Sequence, residues 1–269
     1  MPNFSGVWTL KEQGVAVKGD RWQQYIEPRV LFAGGNNNQN VIQYVSPSTL
    51  GNAQDFGDLT ASGYFLGACS SNIRGTMGPR AGASSNYFNV IDYITIASTG
   101  NATDFGDDTI GRNQYCGFSS KTRGIFGGGN TGSHTNVISY ITIDTAGNAT
   151  DFGDLSSNNK NPAGCSSNTR GIFGGGATSG TNFLNVIEYI TIASTGNTTD
   201  FGDLLSGKST MAGASSKTRG LFGGGTDNLA EQNVIQYITI ASTGDAQDFG
   251  DLDTAKQQLG ATSNEHGGI

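Results

Sequence analysis

Several short phrases in the chain match motifs that other proteins use in catalysis. The triplet D-F-G occurs five times, and its aspartates are Asp55, Asp104, Asp151, Asp200 and Asp248. In a kinase one such aspartate binds magnesium, but that chemistry also needs an H-R-D loop and a V-A-I-K strand. Neither phrase occurs here. Five evenly spaced copies therefore indicate a structural repeat.

A second phrase, G-D-L-L-S-G-K-S at 202–209, matches the phosphate-binding loop G-x-x-x-x-G-K-[ST]. That loop binds phosphate at the N-terminus of a helix that follows a buried strand. The residues that follow here, T-M-A-G-A-S-S-K, indicate a short strand. The G-x-G-x-x-G phrase at 127–132 is likewise followed by a strand pattern. We therefore expect neither phrase to bind a nucleotide.

Metal ligands and nucleophiles are sparse. The two histidines, His134 and His266, do not lie at metal-ligand spacing from a cysteine or from each other. G-x-S-x-G does not occur. The D-F-G-D carboxylates could contact calcium, but the phrase lacks the alternating oxygen ligands of a dedicated site. The sequence predicts a non-enzymatic protein with no catalytic residue, no metal and no cofactor.

The three cysteines, Cys69, Cys116 and Cys165, lie in different repeats at related positions. Equivalent points on separate repeats are rarely within bridging distance, so a disulfide framework is not expected. We interpret all three as small buried residues.

Composition excludes some partners. The net charge of −7 argues against a nucleic-acid partner, because phosphate neutralisation needs clustered Lys and Arg. No run approaches the roughly 18 apolar residues of a membrane helix, so membrane insertion is not expected. The first ten residues lack the basic start and apolar stretch of a signal peptide, which predicts synthesis in a cytoplasm.

The D-F-G phrase belongs to a longer repeat that reads R-G-I-F-G-G-G, N-V-I-x-Y-I-T-I and G-N-A-T-D-F-G-D-L. Its arginines, Arg29, Arg74, Arg123, Arg170 and Arg219, are 45, 49, 47 and 49 residues apart. Such a period, with several short strand patterns in each unit, is typical of a propeller blade. The sequence predicts an all-β, five-bladed propeller over 28–269, preceded by a separate segment at 1–27.

Each unit predicts four strands. In the third unit these are an inner strand A at 116–120, B at 123–126, C at 136–143 and an outer strand D at 150–155. Strand A carries small residues because inner strands converge at the centre of the ring. No such phrase precedes Arg29, but a fifth copy, G-A-T-S-N, occurs at 260–264. We expect it to complete the first blade and close the ring. We also expect each repeat arginine to pair with a D-F-G-D aspartate.

The order of elements resembles the kelch repeat, with the glycine pair and the strand tyrosine matching and Phe152 standing where kelch repeats usually have Trp. The phrases G-N-A-T-D-F-G-D-L and T-R-G-I-F-G-G-G look like repeat proteins of tailed bacteriophages. The opening F-S-G-V-W-T-L-K-E-Q, followed by Trp22, is similar to N-terminal segments of phage virion and tail-fibre proteins. This resemblance implies a structural protein of the virion, assembled in the host cytoplasm as part of a tail, fibre or capsid.

The segment 1–27 carries a capping box, Thr9 and Glu12, which predicts a short helix at about 10–18. Two interpretations are open. The segment is either a clasp packed on the propeller, or an anchor inserted into a neighbouring virion protein through Trp8, Leu10 and Trp22. The second makes other virion proteins the partners and places the chain in an oligomeric assembly.

The loops divide by face. The A–B and C–D turns are nearly uniform, whereas the B–C and D–A loops on the other face differ between units. Relaxed drift explains this pattern, and so does a binding surface on a rigid scaffold. The predicted binding residues on that face are Arg80, Tyr87, Arg112, Tyr115, Lys160, Phe183 and Lys208. A host-surface glycan or protein is the expected ligand. A soluble glycan-binding lectin and an enzyme on a propeller scaffold are the alternatives.

Overall fold

The computed structural model describes residues 28–35, 39–82, 86–178, 180, 182–227 and 230–261. The segment 1–27, with the predicted helix and the anchor residues Trp8, Leu10 and Trp22, lies outside these residues.

The described residues form strands and no helix, arranged as five antiparallel blade sheets and one two-stranded sheet. The sheets follow one another as the blades of a propeller, which confirms the predicted all-β, five-bladed architecture. Blade 1 contains β1 (Val30–Ala33), β2 (Val41–Val45) and β3 (Gln54–Asp58). Blade 2 contains β4 (Ala68–Ser70), β5 (Arg74–Met77), β8 (Val90–Thr95) and β9 (Thr103–Asp107), with the hairpin of β6 (Arg80–Ala81) and β7 (Tyr87–Phe88) inserted between β5 and β8.

The other three blades have four strands each. Blade 3 contains β10 (Cys116–Ser119), β11 (Arg123–Gly127), β12 (Val137–Thr142) and β13 (Thr150–Asp154). Blade 4 contains β14 (Ala163–Ser166), β15 (Arg170–Gly174), β16 (Val186–Thr191) and β17 (Thr199–Asp203). Blade 5 contains β18 (Ala212–Ser215), β19 (Arg219–Gly223), β20 (Gln232–Thr239) and β21 (Gln247–Lys256).

Serine hydroxyls join the inner strands of successive blades. The Ser119 hydroxyl donates to the Ser70 carbonyl at 3.0 Å, Ser166 to Ser119 at 2.9 Å, and Ser215 to Ser166 at 2.8 Å. Small side chains let the strands approach closely enough for these bonds. The recurring serine of strand A thus links neighbouring blades through a hydrogen bond.

The D-F-G triplet forms a β-bulge between strands C and D. In blade 3 the register shifts between Ile138 and Ser139, which leaves Phe152 unpaired and buried between blades. Gly153 has a φ of 144° and lies against the backbone of Gly196 in the next blade, where no Cβ would fit. The glycine is therefore required by backbone conformation and by close approach.

The repeat arginines do not pair with the D-F-G-D aspartates, so that prediction was wrong. The Arg123 guanidinium stacks over the Tyr140 ring at 4.5 Å and donates to the Ile192 carbonyl of the next blade at 2.8 Å. Arg29, Arg74 and Arg170 repeat both contacts. The reason is geometric, because strand C lies between the arginine on strand B and the aspartates on strand D.

Replacing Arg170 by alanine is expected to lower the free energy of unfolding by about 1–2 kcal/mol, since it removes the stacking on Tyr189 and the 3.0 Å bond to the Ile240 carbonyl. Equilibrium urea denaturation measures the loss. Arg219 is the matched control, because it is exposed and stacks on Tyr237 at the end of the array. Arg219→Ala should cost clearly less; equal losses would mean that the bond to the next blade contributes nothing.

Hydrophobic cores lie between the blades. We call the side of a blade that faces the next blade along the chain its front, and the opposite side its rear. Between blades 3 and 4 the front contributes Cys116, Phe118, Ile125, Ile138, Phe152 and Leu155, and the rear contributes Phe173, Ile190 and Ile192. The junctions 1–2, 2–3 and 4–5 are built in the same way. The inter-blade clusters thus contain most of the buried apolar residues that the structure describes.

Within the described part of the chain, the front of blade 5 and the rear of blade 1 remain uncovered. On the front of blade 5, Phe249 is 51% exposed, whereas its equivalent in blade 4, Phe201, is 2% exposed. On the rear of blade 1, Phe32 is 57% exposed and its equivalent Phe173 is 2% exposed. The closing strand predicted at 260–264 lies mostly outside the described residues, which end at 261. Within them, blade 1 has three strands.

Candidate functional site

The most individual feature of the loop face is the β6–β7 hairpin of blade 2. Ala81 pairs with Tyr87 on one side and forms a bridge with Tyr64 on the other, so three short segments make one ladder. Phe65 and Phe88 are 48% and 37% exposed on this ladder. The Tyr87 hydroxyl accepts a bond from the Asn130 amide of blade 3 at 3.3 Å. We call Phe65, Tyr87 and Phe88 the hairpin patch.

A buried ion pair fixes the base of the hairpin. The Arg80 side chain is fully buried and donates to Asp92 of β8 at 2.9 Å. Asp92 also accepts from the amide and hydroxyl of Thr60, in the loop that follows blade 1, at 3.1 and 2.6 Å. Arg80 Nε and Nη1 have no hydrogen-bond partner among the described residues. The pair ties blade 2 to the preceding loop.

Arg112 anchors the following loop in a similar way. Its side chain is fully buried, forms an ion pair with Asp108 at 2.9 Å, and donates to the carbonyls of Gly128, Val137 and Phe126 at 3.0, 2.6 and 3.2 Å. Ser139 lies between the two charges, accepting from Arg112 at 2.6 Å and donating to Asp108. The guanidinium is thus used within the protein, and it holds the loops of blades 2 and 3 together.

Tyr115 also supports the hairpin from below. Its hydroxyl accepts from the Gly67 amide at 2.8 Å and donates to the Pro79 carbonyl at 2.9 Å, just before β6. The ring packs edge-on against Phe126. Burial raises the pKa of Tyr115 above its ordinary value, so the hydroxyl stays protonated and able to donate. Tyr115 positions the hairpin.

The lysines of this face differ in burial. Lys208 is 2% exposed, and burial lowers its pKa from the ordinary value against the opposing effect of Asp227 and Asp251. Lys160 is half-buried, as is Phe183. The structure therefore places Arg80, Arg112, Tyr115 and Lys208 inside the loop bases, where they cannot form an exposed binding surface. Tyr87, Lys160 and Phe183 reach the surface, and their binding role stays a prediction.

The binding residues predicted from the sequence include neither Phe65 nor Phe88. Phe65 follows the outer strand of blade 1, where no other unit carries an aromatic pair such as Tyr64–Phe65. That local departure from the repeat was the available signal. It does not reveal that Tyr64 would form a bridge with Ala81 in the next blade, which is what joins Phe65 to the hairpin.

A recess lies on the opposite face, the face of the uniform turns, between blades 4 and 5. It has a volume of about 450 Å³ and is lined by Ser167, Asn168, Thr169, Arg170, Lys217, Ile240 and Ala241. The Ser167 hydroxyl accepts from the amides of Thr169 and Arg170, which explains why this turn recurs so uniformly. The recess is therefore lined mainly by hydroxyl groups and by the side chains of Arg170 and Lys217.

Other chemistry is not assembled in the part of the chain that the structure describes. No three His, Cys, Asp or Glu side chains there are grouped closely enough to hold a metal ion. The same residues include no helix long and apolar enough to span a bilayer. The three cysteines are free and buried, as predicted, and burial raises the pKa of Cys69 and Cys165 to about 12. Thiols so protected are poor nucleophiles at neutral pH.

The comparisons with known proteins give no family: no protein-family model and no curated protein matches the chain.

Proposed function

We propose that the chain is a non-enzymatic structural protein of a bacteriophage virion, mounted on a tail, fibre or capsid, whose loop face binds a protein or glycan on the host surface. The hairpin patch is the observation that carries this proposal. The virion assignment is supported by the resemblance of the repeat phrases and of the N-terminal segment to phage virion proteins.

The hairpin patch has the properties of an interaction site. Phe65 and Phe88 expose large apolar side chains on one short ladder. Exposed aromatic groups on a folded domain commonly mark partner-binding surfaces. The ion pair of Arg80 and Asp92 and the hydroxyl of Tyr115 hold the ladder in place before binding. A surface ordered in advance loses little entropy when a partner docks.

Replacing Tyr87 and Phe88 together by alanine is expected to weaken host adsorption at least tenfold while the melting temperature changes by a few degrees. Aromatic anchors often contribute about 2 kcal/mol or more each to an interface. Arg80 is left in place, because its removal would leave Asp92 buried without a partner. Adsorption of purified protein to host cells, with thermal unfolding alongside, gives both readouts.

The matched control changes the opposite face, with Asn168→Ala and Lys217→Ala beside the turn-side recess. It should leave adsorption unchanged. If the control abolishes adsorption and the hairpin variant does not, the binding surface lies on the turn face. Sugar binding by the isolated protein, lost in the control variant, would then favour the soluble lectin, whose site could recur at every similar turn.

The anchor proposal concerns residues 1–27, with Trp8, Leu10 and Trp22 as contacts to other virion proteins. Deleting 1–22 is expected to leave a folded propeller that no longer enters particles, because the blades themselves supply the described inter-blade cores, from residues between Leu31 and Ala246. Particle incorporation and circular dichroism are the measurements. A deletion variant that still enters particles would move the anchor to the propeller itself.

A further inference from the structure

The two uncovered blade faces, the front of blade 5 and the rear of blade 1, do not form the junction that the other blades form with each other. At each of the four junctions a backbone bond of 2.7 Å runs from a turn glycine to the D-F-G phenylalanine of the preceding blade, as from Gly196 to Phe152. The corresponding bond, from Gly51 to Phe249, does not occur between these two described residues. Nothing lies within 4 Å of a Cβ built on Gly250, whereas Gly202 is packed against Gly244. The fifth junction is therefore unmade within the described chain.

The residues on the two faces correspond to residues that pack together at the junction of blades 4 and 5. The front of blade 5 carries Ala214, Leu221, Phe249 and Leu252 where blade 4 carries Cys165, Ile172, Phe201 and Leu204. The rear of blade 1 carries Phe32 and Val45 where blade 5 carries Phe222 and Ile238. Each face thus has the apolar character of its counterparts at the four made junctions. Val30 stands where the other blades have glycine, and the residue that it would meet is Ala214, which is smaller than the equivalent Cys165.

The backbone after blade 5 follows the same course as the crossovers after the earlier blades. After blade 5 the Gln258 amide bonds the Thr210 carbonyl at 3.0 Å, as Asn161 bonds Gln114 at 2.7 Å after blade 3. Leu259 then packs beside Gly224 of blade 5, as Met211 packs beside Gly175 of blade 4 just before the inner strand β18. On blade 1, the edge of β1 opposite β2 pairs with no described strand. A strand edge that pairs with no neighbour readily pairs with another chain.

We propose that the front of blade 5 in one copy binds the rear of blade 1 in a second copy, so that the chains join head to tail. The second copy is favoured because the protein's own blade 1 leaves Phe32 and Leu50 exposed. The contact is heterologous and reproduces the inter-blade junction, so successive copies form a ring or a filament. Head-to-tail joining is independent of host binding, and it holds whatever ligand the hairpin patch takes.

An engineered disulfide tests which blade 1 is bound. At the junction of blades 4 and 5, a Cβ on Gly220 would lie 2.5 Å from the Cys165 sulfur. The equivalent positions across the unmade junction are Val30 and Ala214. The full chain with Val30→Cys and Ala214→Cys is expected to give dimers and higher multimers on non-reducing gels, which disappear on reduction. The single variants Val30→Cys and Ala214→Cys are the controls and should stay monomeric under denaturing conditions.

Two results would overturn the proposal. A Val30–Ala214 cross-link within one chain, shown by mass spectrometry of a monomeric band, means that the protein's own blade 1 closes the ring. Absence of any cross-link means that another segment, such as residues 1–27, covers the faces.

Light scattering of the unmodified chain gives an independent readout. The mass is expected to rise with concentration, and Phe249→Asp should weaken association at least tenfold. Leu205→Asp, at a residue equally exposed but away from both faces, is the control and should not change the mass. A wild-type chain that stays monomeric at its solubility limit contradicts the proposal.

Discussion

Replacing Phe173 by alanine is expected to lower the free energy of unfolding by about 3–5 kcal/mol, the usual cost of removing a buried phenylalanine. Phe173 is 2% exposed on the rear of blade 4, and its ring centroid lies 4.9 Å from that of Phe118 on blade 3. It also fills the space beside Gly127, which has no side chain to close the cavity left behind. Equilibrium urea denaturation, with the slope checked for two-state behaviour, measures the loss.

Phe32 supplies the matched control, because it occupies the same repeat position on blade 1. Its side chain is 57% exposed, so Phe32→Ala should cost less than about 1 kcal/mol. Both variants are measured at a concentration where the chain is monomeric, since a second copy would bury Phe32. Equal losses in the two variants would show that the rear of blade 1 is covered within the single chain.

The repeat made the architecture predictable because each unit places the same apolar residues on its two faces. The bulge of Phe152 recurs in all five blades, and the burial of the phenylalanine and the glycine contact of Gly153 recur in the first four. A phrase that resembles a kinase motif is thereby explained by packing alone. Five copies of the same sequence unit therefore specify five blades.

The pairing of the repeat arginines was not predictable from the repeat. Charge suggested the nearest recurring aspartate, but the order of strands within a blade places Tyr140 beside Arg123 and a carbonyl of the next blade within reach. The acceptor is a backbone atom about 70 residues away, which leaves no mark in composition. Sequence identifies such an arginine as structural without naming its partner.

The burial of the loop cations was also not predictable from the sequence. A single Arg in a variable loop is ordinarily exposed, and nothing in the D–A loop itself shows that Arg112 is internal. Its acceptors come from three separate segments, at Asp108, Ser139 and the carbonyls around Gly128. Only the fold brings them together. The loop face is therefore less cationic and more aromatic than its sequence indicates.

Asp108→Asn tests whether this network holds the loop bases. Asp108 is 3% exposed, pairs with Arg112 at 2.9 Å, and accepts from the Thr109 amide at 2.8 Å. Neutralising it leaves the Arg112 guanidinium buried without a balancing charge, which typically costs about 3–5 kcal/mol. The variant should therefore lower the free energy of unfolding by about that amount in urea denaturation.

Two further variants make the result specific. Asp253→Asn breaks the exposed pair with Lys256 and should change the stability by less than about 0.5 kcal/mol. Adding Arg112→Met to Asp108→Asn should recover part of the loss, because it removes the unbalanced charge and keeps an apolar side chain in the space. If Asp108→Asn lowers the free energy of unfolding no more than Asp253→Asn does, the buried pair contributes no measurable stability. The hairpin patch would then depend on the Arg80–Asp92 pair, on Tyr115 and on the ladder alone.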